Sequence, residues 1–386
     1  LTIIIILGSI SAFAPLAIDM YLAAMPTLKH HFATSTDMVQ LTLASFFIGF
    51  SLGQAFYGPF SDKYGRKAPL YVGLSIFVIA SIGCAFASSV SWLIFFRFLQ
   101  ALGACSGGVM ARAIVRDIFH PKDASKIYSY LMLVMGLAPI LAPMAGGYVL
   151  MYLGWEAIFL ILASMGAISL VAVIFGLKES GEIRLEKTIS FRGTLLEYWI
   201  IAQNRHFLGF ALLGGFCMAA LFAYITSSPF VFMDIFGLSI EQHGILFGAN
   251  ALAFIVSAQI NARVVNKLST KILIIIPAFL LACFGLAIFL NATLDIGGIW
   301  GIAVPMICFM LCIGFIVPNA TALAMAPFST NAGSASALLG VIQFSMAAIS
   351  SISLGLMHNN ALISMGSAIA FCGVCAFGVC ITILKK

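Results

Sequence analysis

The chain has 386 residues, of which 62% are hydrophobic and only 8% charged, and its mean hydropathy is +1.12. Soluble proteins carry about 25% charged residues, so this composition excludes a soluble fold and makes lipid the solvent for most of the surface. The net charge of +6 does not point to nucleic acid, because the basic residues fall in polar stretches between apolar runs, where they record membrane topology.

About 20 apolar residues cross a bilayer as a helix. The runs long enough to do so are 1–25, 39–60, 69–88, 91–112, 126–150 and 156–177, then 207–230, 242–263, 272–291, 298–318, 334–356 and 362–384. None alternates in the manner of a barrel strand, so an all-α membrane protein with 12 transmembrane helices is expected. The first run is too long for the apolar core of a signal peptide, and no small-residue cleavage site follows it. Lys63, Arg66 and Lys67 follow the second run; Arg116, Lys122 and Lys126 follow the fourth; Lys178, Arg184, Lys187, Arg192 and Arg205 follow the sixth; Arg263, Lys267 and Lys271 follow the eighth. Lys385 and Lys386 end the chain, and Lys29 alone falls on the opposite side. The lysine-rich side is expected to be cytoplasmic, with both ends of the chain on it.

The longest polar stretch, 178–205, divides the chain into six runs and six runs. The expected organisation is an N-terminal six-helix bundle over 1–177, a cytoplasmic linker over 178–205 and a C-terminal six-helix bundle over 206–386, the two bundles related by pseudo-symmetry. Within the linker, Phe191, Leu195, Leu196, Trp199 and Ile200 have helical spacing. They fit a helix lying on the membrane surface, and equally a soluble linker helix.

Two charges stand inside apolar runs. Asp19 lies in the first and Arg97 in the fourth. A charge there costs about 2.5–3.5 kcal/mol on insertion scales, so such residues are functional candidates by default. Counted from the ends of their runs, both lie roughly 12–15 Å deep at 1.5 Å per residue. The residues therefore suggest a pair facing one cavity, with Asp19 carrying a proton and Arg97 modulating it. The plain alternative is a static buried ion pair that fixes helix packing.

The segment after the second run reads Gly58-Pro-Phe-Ser-Asp62-Lys-Tyr-Gly65-Arg66-Lys67. Gly58 allows close helix approach, Gly65 allows a tight turn, and Asp62 with Arg66 can form a charged latch. The match to the loop 2–3 motif G-x-x-x-D-[RK]-x-G-[RK]-[RK] is complete, and here the chain resembles the major facilitator superfamily (MFS). The corresponding segment of the second half is degenerate, with Asn261 roughly where Asp62 would be. The fifth run contains Ala138-x-x-x-Ala142-Pro143-x-x-Gly146-Gly147, similar to the antiporter motif G-x-x-x-G-P-x-x-G-G with two glycines replaced by alanine. Together with the surroundings of Asp19 and the Arg97-Phe-Leu-Gln100-Ala-Leu-Gly103 segment, these motifs resemble the Bcr/CflA group of drug:proton antiporters, associated with bicyclomycin and chloramphenicol resistance. The resemblance covers nearly the whole chain. It implies the MFS fold and a proton-driven antiporter that exports small amphiphilic molecules from a bacterial inner membrane by alternating access.

The partners that follow are a small-molecule substrate, protons and the lipid bilayer, with no nucleic acid, no cofactor beyond the proton gradient, and a monomer as the working unit. The substrate cavity is expected to draw on Tyr21, Met25, Gln100, Met110, Met135, Phe222, Tyr224, Asn319, Gln343 and Phe344, an adaptable lining of aromatic, thioether and amide groups. No enzyme is expected: Gly49-x-Ser51-x-Gly53 lies inside an apolar run and reads as a packing face rather than a nucleophile elbow. Cys372-x-x-Cys375 has no neighbouring metal ligand, and the nine cysteines read as reduced packing residues. Asp117 and Asp123 read as loop charges. Two other readings stay open: a dedicated exporter of one metabolite, such as a peptide, siderophore or amino-acid derivative, and, more remotely, a non-transporting membrane receptor.

Overall fold

A computed structural model describes the chain except residues 1, 182–190, 266, 329–331, 358–359 and 385–386. Arg184, Lys187, Lys385 and Lys386 of the basic pattern lie outside the described residues, as do the side chains of Lys122, Asp123, Lys126 and Phe191. Among the described residues all regular structure is helical: α1 (Thr2–Leu22), α2 (Met25–His31), α3 (Thr36–Tyr64), α4 (Lys67–Ala85), α5 (Val90–Ile118), α6 (Pro121–Leu153), α7 (Trp155–Gly176), α8 (Phe191–Ala202), α9 (Arg205–Pro229), α10 (Ile240–Val264), α11 (Thr270–Leu294), α12 (Gly298–Met325), α13 (Ala332–Leu356) and α14 (Ala361–Leu384). A π-helical turn, Phe230–Ile235, continues α9. Among the described residues, twelve helices are long and apolar enough to cross a membrane, all but α2 and α8, and the protein is an all-α, multi-pass membrane protein.

Chain contacts separate two compact units, Leu1–Thr34 with Ser45–Leu195, and Ser35–Ala44 with Leu196–Lys386. In the first, α1 packs on α5, α6 and α7, and α4 packs on α5 and α7. In the second, α9 packs on α12, α13 and α14, while α11 joins α12 to α14 and α10 lies on α12. Small residues set these approaches. A methyl added at Gly107 of α5 would overlap the Ile10 carbonyl of α1, and one at Gly49 of α3 would overlap the Phe98 carbonyl of α5. Gly49 and Gly53 thus form the packing face expected of them, Gly53 lying against Cys105.

The polarity of the fold is inverted relative to a soluble protein. Large apolar side chains such as Ile79, Phe175 and Ile349 stand outward, while Asp19, Arg97, Gln100, Asn250 and Asn319 are buried. With lipid outside, apolar surface carries no penalty there, and polar groups gain by meeting one another inside. Helix α8 exposes Leu195, Leu196, Trp199 and Ile200 together and buries Tyr198 and Ile201, an apolar face suited to a membrane surface.

Several helix ends do not coincide with the ends of the apolar runs. Helix α5 runs to Ile118 and ends in an extended Phe119, six residues beyond the expected end at 112. Asn204 accepts from the amides of His206 and Phe207 to start α9, and Ser239 with Gln242 forms a capping box at α10.

Candidate functional site

Arg97 is fully buried on α5. Its Nη1 donates to the Ala17 carbonyl of α1 at 2.9 Å and to Gln100 Oε1 at 2.7 Å. Gln100 Nε2 in turn donates to Ser81 Oγ of α4 at 2.8 Å. The guanidinium carbon lies 4.5 Å from the centres of the Tyr21 and Phe46 rings and 6.0 Å from that of Phe159. Ring faces are negative, so this cage partly compensates the cation without a carboxylate. Its Nε and Nη2 have no hydrogen-bond partner among the described residues.

Asp19 is 3% exposed, and among the described residues it makes no salt bridge and no hydrogen bond. The direct pairing of Asp19 with Arg97 expected from their depths is therefore corrected. The reason is helical geometry. Successive residues turn by about 100°, so Ala17 and Tyr21 share a face while Asp19 points about 200° away from Ala17. Arg97 docks on the face carrying Ala17 and Tyr21. Matching depth along antiparallel helices did not mean matching face.

The antiporter-type segment lies in α6, with Ala138, Ala142, Pro143, Gly146 and Gly147 all buried. A methyl at Gly146 would overlap the Met20 carbonyl, so this small-residue face holds α6 against the stretch of α1 that carries Asp19. Pro139 and Pro143 both stand inside the helix, where neither has an amide to donate.

The latch motif is more helical than expected. Gly58 to Tyr64 are the last turns of α3 and Lys67 opens α4, which leaves Gly65 and Arg66 as the whole connection. Gly65 has φ +78°, a left-handed conformation that costs glycine little. A methyl at Gly58 would meet nothing within 4 Å among the described residues, so the close helix approach expected there is not made by them. Arg66 lies 3.5 Å from Asp62 and donates through Nη1 to Ser61 at 2.8 Å. Its shortest ion pair, at 2.7 Å, is with Asp117. Asp117 is not a loop charge: it sits in the last turn of α5. The clue missed in the sequence was an acid beside Arg116 on the same membrane side as Arg66.

The other expected cavity residues separate. Tyr21, Met25, Gln100 and Met110 are fully buried in the first unit, whereas Met135 is 43% exposed on α6. In the second unit, Tyr224 accepts from Asn250 Nδ2 at 3.0 Å, and Asn319 donates to Asn261 Oδ1 at 2.8 Å. Those polar ends are thus engaged by neighbouring helices. Phe222 packs on Phe344 with ring centres 5.8 Å apart, and Gln343 is half-buried beside Gly214. Sequence reasoning passed over His243, which is buried on α10 within 3.3 Å of Ser228.

Residues 7–351 match the family described as Major Facilitator Superfamily. The chain belongs to that family. It is 35% identical over 366 residues to the "Uncharacterized MFS-type transporter YdgK" of Bacillus subtilis (strain 168), covering 94% of this chain and 90% of that protein. It is 30% identical over 348 residues to a "Bicyclomycin resistance protein homolog" of Haemophilus influenzae, covering 90% and 87%. It is also 30% identical over 334 residues to the "Multidrug resistance protein MdtL" of Klebsiella pneumoniae (strain 342), covering 85% and 82%. Among solved structures, a bacterial homologue of the lysosomal transporter Spinster aligns over 99% of this chain and 97% of its own, with a TM-score of 0.78 at 14% identity. The D-xylose-proton symporter aligns over 97% of both chains with a TM-score of 0.76 at 14% identity. The family and these relatives make the protein a membrane transporter rather than an enzyme. The names of the curated relatives agree with the Bcr/CflA resemblance carried by its motifs. No group of three or more metal-ligating side chains is present among the described residues.

Proposed function

We propose that the protein is a proton-coupled antiporter that exports small amphiphilic compounds, neutral or cationic, across the bacterial inner membrane by alternating access, working as a monomer with both chain ends in the cytoplasm. The observation that carries the reading is a buried carboxyl, Asp19, held without an ion-pair partner two residues from the carbonyl that Arg97 occupies. A carboxyl in that position can take up and give back a proton without first breaking a salt bridge. Arg97, clamped to the same helix, couples the state of α1 to α5 and, through Gln100 and Ser81, to α4. The names of the resistance relatives support drugs as the substrate class. The Arg66 cluster with Asp62 and Asp117 acts as a latch at the cytoplasmic end, favouring the outward-open state and opening during the cycle. A single acid on the transport path favours substrates without negative charge. Helix α8 rests on the membrane surface as part of the linker.

The test is uptake of ethidium into everted membrane vesicles under an imposed pH gradient, acid inside. Wild type is expected to move it in step with the gradient, while Asp19→Asn binds ethidium but shows no gradient-driven flux. Unchanged coupled flux in Asp19→Asn overturns the role of Asp19. A panel of antibiotics on an exporter-deficient host separates broad export from export of a single metabolite.

A further inference from the structure

We propose that Glu179, just past the end of α7, is a positioning residue for the Arg66 latch: its carboxylate pins the Gly65–Lys67 turn so that the Arg66 guanidinium meets Asp117 and Asp62. The latch's function rests on the transport reading above; the pinning does not.

The start of α4 lacks a cap of its own. Arg66 stands at the N-cap position and its side chain makes no capping bond. The first amides of a helix have no partner within it, and here a residue more than a hundred positions away supplies one. Glu179 Oε1 accepts from the Arg66 amide at 2.7 Å, and Oε2 accepts from the Lys67 amide at 3.1 Å. The same carboxylate accepts from Ser180 and Gly181 amides at 3.1 and 3.0 Å, which folds its own segment around it. A negative charge at a helix N-terminus also meets the positive end of the helix dipole.

The fit explains Gly65 a second time. Besides its φ of +78°, a methyl there would lie 2.7–2.9 Å from the Glu179 carboxyl group. A few residues further along, Gly181 lies against the Arg66 stem, where a methyl would meet Cγ at 3.1 Å. Lys67 Nζ donates to the Ile174 carbonyl at 3.3 Å. Arg66 is thus bracketed: its backbone by Glu179, its stem by Gly181 and its head by Asp117, Ser61 and Asp62. The first residues of the linker and the latch form one body at the junction of α4, α5 and α7. Partial burial pushes the Glu179 pKa up, but the four backbone donors outweigh it and hold the pKa below the ordinary glutamate value, so the clamp is charged at neutral pH.

The experiment compares full-length wild type, Glu179→Gln and Gly65→Ala in lipid nanodiscs. Glu179→Gln keeps the shape but replaces one acceptor oxygen with a donor; Gly65→Ala displaces the carboxylate while leaving it charged. Hydrogen exchange is read on peptides spanning 62–70, with peptides from α9–α14 as the folding control. Both variants are expected to speed exchange of the Arg66 and Lys67 amides at least tenfold, with the control unchanged. Gradient-driven ethidium transport into everted membrane vesicles is expected to lose turnover severalfold with KM within about twofold, and Glu179→Gln with Asp117→Asn to be no slower than Asp117→Asn alone, as for residues acting through one partner. Unchanged exchange in both variants overturns the clamp. Faster exchange with additive transport losses overturns its action through Arg66. If wild type itself moves no ethidium under a gradient, the transport reading fails, and the exchange comparison still decides the clamp.

Discussion

The two units bury polar groups in different ways. In the second, three pairs of buried neutral groups meet across helices: Asn250 with Tyr224, Asn261 with Asn319, and Thr226 with Ser351. In the first, a buried cation is held by a carbonyl, an amide and three rings, and the buried acid Asp19 is left without a partner among the described residues. The same contrast recurs at the helix ends. Where α3 and α5 carry Asp62 and Asp117 around Arg66, the corresponding α10 and α12 carry an amide pair. Neutral pairs satisfy each other and cost little to keep, whereas an unpaired charge in a membrane is expensive and persists where it does work. On the proposed reading, this contrast places proton handling and latching in the first unit and leaves the polar contacts of the second structural.

That division can be broken at several points. The largest loss beyond Asp19 is expected at Arg97. Arg97→Ala leaves the Ala17 carbonyl and Gln100 without their donor and the ring cage without its cation. Gradient-driven efflux should fall at least tenfold, and Arg97→Lys should not restore it, because an ammonium cannot reproduce the planar guanidinium between rings. A rate near wild type in Arg97→Lys would reduce Arg97 to a point charge. Next, Gly146→Val pushes a side chain into the Met20 carbonyl. Overpacking of this kind costs about 1–3 kcal/mol, and thermal unfolding in detergent should show it as a lower midpoint together with reduced transport.

Asp117→Asn is expected to slow turnover severalfold, and Asp62→Asn less, because Asp62 is half-exposed and more distant from Arg66. Equal losses would make the latch a diffuse charge effect. In the second unit, Asn319→Ala should cost about 1 kcal/mol of stability and leave the pH dependence of efflux unchanged; a shifted pH profile would place proton handling there as well. The last prediction concerns the pH dependence of the Glu179 clamp. Its pKa is lowered in the folded protein, so its contribution is fully present above the unfolded value of about 4.3 and is lost as pH falls through the lower folded value. Protection of the Arg66 and Lys67 amides should therefore hold throughout the neutral range and disappear only in stronger acid.

Hydropathy was sufficient to place the 12 spans, because in lipid the length of an apolar run and the need for internal backbone hydrogen bonds leave only one kind of element. It could not place helix ends that run beyond the apolar residues, such as the last six residues of α5, where Arg116 and Asp117 lower the hydropathy without ending the helix. Asp19, Arg97 and the Asp62–Arg66 pair stood out because charge inside or beside a span is rare. The facing of Asp19 away from Arg97 follows from the 100° turn per residue, once Ala17 and Tyr21 are known to be the docking side. Asp117 and Glu179 lie outside the apolar runs and stood out less. Each is an ordinary polar-segment acid until the fold brings it to Arg66, 51 residues away in one case and 113 in the other.

The central claim is that Asp19 exchanges its proton against substrate. The most direct measurement is proton release from purified protein in weakly buffered detergent on addition of ethidium, in wild type and in Asp19→Asn. Release from wild type that disappears in Asp19→Asn, with ethidium still binding to both, is the result expected. Equal release from the two proteins contradicts the claim and moves the proton to another group.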